Sequence, residues 1–227
     1  MRYFTSDPHY YHKNVIRYCN RPFTRNVDKL TELTGGFAPA FELNLAIERD
    51  VVEMNGALIA NWNSIVTPED EVVVVGDFSM ALRPVELYTN RLNGRKILVA
   101  GNHDFCHPAH KKSKNPENQK KWTDKYLYWG WSEVHLKMEL DLPGIGLVNV
   151  SHMPYKGGSD SGDEERHEKH RLDDDGKILI HGHIHEKGLI TRSRKGTLQL
   201  NVGVDVWGMK PVSEEEVIRA ILNAKRN

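Results

Sequence analysis

Cysteine is almost missing from this chain. Its two copies, Cys19 and Cys106, lie far apart in 227 residues. That excludes a disulfide framework or a thiolate metal cluster, and both are expected as free thiols. Net charge is missing too, because 31 lysines and arginines balance 31 aspartates and glutamates. No global field therefore draws nucleic acid or an anionic membrane. No apolar run approaches the ~18 residues of a membrane span. The opening stretch MRYFTSDPHYY lacks an apolar core of signal-peptide length. The expectation is a cytoplasmic protein without membrane association. A Walker phosphate loop and a dinucleotide glycine fingerprint are also absent. RHEKH at 166–170 fails as a zinc-protease motif, since only Lys169 separates Glu168 from His170.

Apolar residues make up 39% of the chain, enough for one packed core, and 1–227 reads as a single domain. RYFTSD forms a short first strand, followed by a loop-rich connection over 10–41. Leu43, Ile47, Val51, Met54, Leu58 and Trp62 recur at steps of four and three, the spacing of one helical face. EVVVVGDF and RKILVAGNHD are continuous apolar runs of the kind buried on both faces of a sheet. The helix RPVELYTNRLNG between them implies a crossover into a parallel pair. EVHLKMELDL, GIGLVNVSH, KILIHGHIH and TLQLNVGVDV add strands. A last helix starts at Ser213, with Glu216 three residues on as a capping box. Polar insertions fall at roughly 107–125, rich in lysine, and 155–176, rich in acids.

What the chain has in excess is histidine, twelve in all. Five pieces share one pattern, an apolar run ending in metal-competent side chains. They are Asp7-Pro8-His9, Gly76-Asp77, Gly101-Asn102-His103-Asp104, Ser151-His152 and Gly182-His183-Ile184-His185. In an extended segment, residues two apart point to the same side, so each Asp-x-His or His-x-His pair can converge. Singly these pieces are commonplace. In this order they closely resemble the signature of the calcineurin-like, binuclear metallophosphoesterase family. The match runs from Asp7 to His185, and no ligand position is missing. Many family members carry an acid three residues after the Gly-Asp pair, where this chain has Met80.

The resemblance implies an α/β fold, a four-layer αββα sandwich of two β-sheets flanked by helices. It implies one metal held by Asp7, His9, Asp77 and His185. A second would be held by Asp77, Asn102, His152 and His183, with Asp77 bridging. It also implies that His103 faces substrate and is oriented by Asp104. The donor set of imidazole, carboxylate and amide suits Mn²⁺, Fe, Zn²⁺, Co²⁺ or Ni²⁺ rather than Ca²⁺. Two such ions ~3.5–4 Å apart generate hydroxide near neutral pH and clamp phosphoryl oxygens. A nearby imidazolium, the role expected of His103, protonates the leaving oxygen.

The expected activity is therefore metal-dependent phosphate-ester hydrolysis. A phosphodiesterase acting on cyclic or linear nucleotides is favoured by the lack of an evident lid domain. A phosphomonoesterase, including a protein phosphatase, is the enzymatic alternative. A nuclease follows if the lysine-rich KKSKNPENQKKW binds a strand, with Trp122 as a base platform, although a solvated loop is the plainer reading. A catalytically silent metal-binding scaffold would show substituted ligands, and none is substituted here. His12, Lys13 and Asn14 follow the first motif, and His12 and Asn14 are candidate substrate contacts.

Overall fold

A computed structural model describes residues 1–156 and 167–226. The lysine-rich insertion at 107–125 lies within it, and residues 157–166 of the acidic insertion lie outside the described residues. The described chain is a mixed α/β sandwich of two five-stranded sheets with six α-helices. In the first sheet, β1 (Arg2–Thr5), β2 (Glu71–Val74), β3 (Arg95–Val99) and β4 (Glu133–His135) are parallel. β10 (Val212–Ser213) pairs antiparallel with β1 at the edge. The second sheet is ordered β5 (Met138–Leu142), β6 (Gly146–Val150), β7 (Leu179–His181), β9 (Leu198–Asn201) and β8 (Ile190–Arg192). Its central strands β6, β7 and β9 are parallel, and its edges are antiparallel.

Alternation along the strands decides what each face meets. Val72, Val74 and Leu98 turn toward α1 (Lys13–Tyr18), α3 (Ala40–Asn63), α4 (Leu82–Thr89) and α5 (Pro116–Tyr128). Phe4, Val73, Val75 and Val99 turn the other way and pack with Val148, Val150, Ile180 and Leu200 of the second sheet. The first sheet is thus buried on both faces, which is why Val72, Val73, Val74 and Val75 follow one another without a polar residue. The second sheet turns Asn149 and Gln199 outward, where they bond Tyr155 and Asp175. α6 (Glu214–Arg226) packs on β9 as well as on β10 and β1, so it touches both sheets.

Several expectations are met closely. β2 and β3 are parallel across α4. The capping box forms, with Ser213 N donating to Glu216 Oε2 at 3.0 Å and Glu216 N donating to Ser213 Oγ at 3.3 Å. Others need correction. The connection over 10–41 holds two helices, α1 and α2 (Arg25–Thr34). EVHLKMELDL is two strands, because the chain leaves the first sheet after β4 and enters the second at β5. The lysine-rich insertion winds into α5, whose Asn115 cap accepts the Asn118 N–H at 2.8 Å. Trp122 of that helix is 9% exposed and belongs to the core. It is no base platform. No helix among the described residues is long and apolar enough to cross a membrane.

Candidate metal centre

All five motif pieces leave parallel strands at their carboxyl ends, the edge where open α/β sheets carry ligands. Asp7 and His9 follow β1, Asp77 follows β2, and Asn102 and His103 follow β3. His152 follows β6, and His183 and His185 follow β7. The two sheets meet at this edge. Asp7 Oδ2 accepts the backbone N–H of His183 at 2.8 Å, and His152 Nδ1 lies 2.7 Å from Val75 O. A Cβ at Gly101 would run into the Asp77 carboxylate, and one at Gly182 into Ser6 and Asp7. Those glycines let ligand loops from different strands close on each other.

The pairs converge, but not by extended geometry. Asp7, His9, Asp77, His183 and His185 all have positive φ, from 48° to 70°. Left-handed backbone at non-glycine residues is uncommon and persists only where the surroundings enforce it. Here the loops turn back sharply at each strand end and so aim side chains at a common point.

Asp7, His9 and His185 bring ligand atoms within 4.8 Å of one another, and so do Asp77, His152 and His183. Asp77 Oδ2 stands between the groups, 3.6 Å from His9 Nε2 and 3.3 Å from His152 Nε2. Asp7 Oδ1 and Asn102 Oδ1 are buried and have no hydrogen-bond partner among the described residues. Orphaned buried acceptors are costly and call for a positive partner. Two carboxylates, an amide oxygen and four imidazoles fit a pair of divalent transition-metal ions. Burial opposes charge on His152, yet the Asp77 carboxylate pushes its pKa up to about 9. Burial pushes His183 down to about 3. His9, Asp77, Asn102, His183 and His185 line a cavity of about 460 Å³ with His12 and His103.

Asp104 departs from expectation. Its carboxylate does not orient His103; it accepts the backbone N–H groups of Asp77 at 2.8 Å, Phe78 at 3.1 Å and Gly101 at 2.8 Å. It clamps the second motif loop to the third. Burial, reinforced by Asp77, raises its pKa to about 7. His103 has its Nε2 4.0 Å from Asp77 Oδ2, and its side chain is 39% exposed. His12 also reaches the cavity, its ring 5.5 Å from that of His9. Asn14 is exposed on α1 and does not line the cavity.

Sequence reading missed two residues. Arg21 is buried, donating to both oxygens of Asp205 at 2.7 and 3.0 Å and to the carbonyls of Asp7 at 2.7 Å and Pro8 at 2.9 Å. Asp205 in turn lies 2.8 Å from His185 Nδ1. The contact selects the tautomer that leaves Nε2 free for a metal. No spacing motif links position 21 to 205, so only the fold reveals the pair. Cys19, a free thiol, borders the same cavity.

No family model matches the chain. A protein of unknown function from Aquifex aeolicus, solved by crystallography, aligns over 97% of this chain and 98% of its own with a TM-score of 0.58. At 24% identity that likeness concerns the fold alone. An uncharacterized protein of Methanocaldococcus jannaschii is 28% identical over 231 residues, covering 98% of this chain and 92% of that protein. The Gene 66 protein of Mycobacterium phage D29 is 33% identical over 173 residues, 71% of this chain and 79% of the phage protein. That of Mycobacterium phage L5 is 34% identical over 179 residues, 74% of this chain and 81% of its own. With that identity across most of both chains, the protein belongs to the family of the mycobacteriophage Gene 66 proteins.

Proposed function

We propose that the protein is a metal-dependent phosphoesterase of the calcineurin-like type with the αββα arrangement, and more specifically a phosphodiesterase acting on nucleotides. The observation that carries this is the pair of three-residue ligand groups with Asp77 between them. Asp7, His9, Asp77 and His185 would hold one ion, and Asp77, Asn102, His152 and His183 the other. When bound, two divalent ions supply Lewis acidity toward the phosphoryl oxygens and an activated water.

The chain's own groups do the rest. Hydrolysis joins the water oxygen to phosphorus, gives up that water's proton to solvent and breaks the ester P–O bond. The leaving oxygen keeps the bonding electron pair and takes a proton from His103 Nε2, which faces Asp77 at the cavity mouth. His12 contacts the same bound ester. Asp104, Gly101 and Gly182 hold the loops at the separation the site needs.

The test is hydrolysis of bis-p-nitrophenyl phosphate by protein reconstituted with Mn²⁺. Activity is expected with Mn²⁺, lost on chelation and restored by Mn²⁺. Activity that survives chelation in protein shown to hold no residual metal refutes the reading.

A further inference from the structure

The cavity over the candidate metal centre does not end at His103. It shares Asn102, His103 and His167 with a neighbouring hollow of about 470 Å³, which adds His110, Lys111 and Lys112 to its wall. No aspartate or glutamate lines that hollow among the described residues. In a chain with equal numbers of acids and bases, this is a local concentration of positive charge placed beside the metal-competent residues.

The cations stand on a tightly wound loop that continues directly from the Asn102-His103-Asp104 motif. Successive turns tie His107 N to Asp104 O, His110 N to His107 O and Ser113 N to His110 O, at 2.9 to 3.0 Å. Buried Ser113 donates its hydroxyl to Phe105 O and anchors the far end. Lys112 donates its N–H to His110 Nδ1 at 3.2 Å, and its Nζ lies 5.0 Å from the centre of the Phe105 ring. These contacts hold the lysines in register with His103.

We infer that this hollow is a subsite for a second phosphate, so that the substrate is a linear nucleotide carrying another phosphate next to the scissile one. The inference rests on the phosphodiesterase reading of the metal centre. A cyclic nucleotide brings one phosphate only and would leave Lys111 and Lys112 without a counter-charge. The second phosphate has two sources, a neighbouring link of a phosphodiester chain or a directly attached pyrophosphate partner.

Steady-state kcat/KM with Mn²⁺ separates the outcomes. The substrates are bis-p-nitrophenyl phosphate, thymidylyl-thymidine, its 5′-phosphorylated form, and diadenosine diphosphate. At least one of the two substrates with a second phosphate is expected to exceed thymidylyl-thymidine on the order of tenfold, and which one does so identifies the source. The double variant Lys111→Gln, Lys112→Gln should bring that ratio close to one. It should also flatten the salt dependence for the preferred substrate by a log–log slope of about 2, roughly 1 for each lysine. Absence of a preference, or a preference untouched by the double variant, overturns the inference while leaving the phosphoesterase reading intact. No hydrolysis of any of the four overturns both.

Discussion

His103 and Asp104 are neighbours with opposite fates, one open to the cavity and one fully buried. That contrast sets what each substitution should do. On the proposed reading His103→Ala removes the proton donor and no ligand, so two ions should be retained and turnover of an alkoxide-leaving diester should fall about 100-fold or more. The deficit should shrink for a nitrophenolate leaving group, which barely needs protonation. An equal loss on both substrates excludes the acid role. Asp205 acts at one remove, through His185 and Arg21. Asp205→Asn should weaken one of the two metals about 10- to 100-fold and spare the other. Metal titration followed by elemental analysis reads this, with circular dichroism checking the fold. Equal weakening of both ions, or of neither, rejects Asp205 as a positioning residue.

Elements bring their own liabilities. Asp174, in the segment before β7, grips the β8–β9 turn through Ser193, through Thr197 Oγ1 at 2.8 Å and through Gly176 N at 2.9 Å within its own loop. Burial works against its charge, but these donors hold its pKa below the ordinary 3.8. A carboxyl lowered on folding contributes stability that is complete above the ordinary carboxylate range and lost as pH falls through the folded value. Wild-type urea midpoints should therefore drop more steeply than those of Asp174→Asn below about pH 4. Near pH 7 the variant should be less stable by about 1–3 kcal/mol. Parallel pH profiles would contradict this account. Elements also explain what sequence reading missed. α1 is only six residues long, too short for a helical period to show, and α2, though amphipathic, buries no residue. EVHLKMELDL hid a change of sheet because strand period is the same in both sheets.

At the scale of the molecule, the candidate centre is where the sheets are joined. Asp7 and Asp77 come from the first sheet, and His152, His183 and His185 from the second. Bound ions would link both, so Mn²⁺ at about 100 times its Kd should stabilise the fold by roughly 2.7 kcal/mol for each ion bound. For a chain of this size that corresponds to a Tm rise of about 5–10 °C. Asp77→Ala should lose both ions and the rise with them. Retention of two ions in the variant would contradict a bridging role.

The order of the ligand motifs, the paired central strands and the capping box of α6 were determined by sequence alone. Each rests on local chemistry: apolar runs, a donor type at a strand end, a serine three residues before a glutamate. Tertiary structure decided what joins residues distant along the chain. It put Asp104 on backbone N–H groups rather than on His103, and it brought Arg21 and Asp205 together behind His185. It left Asn14 in solvent and buried Trp122. The physical reason is the same in each case: a side chain's partner is set by which strands lie adjacent and how sharply their ends turn. The left-handed turns at Asp7, His9, Asp77, His183 and His185 lie where the strand-end loops bond one another, as Asp7 N does to Gly76 O and His183 N to Asp7 Oδ2, and no spacing of residue types announces them.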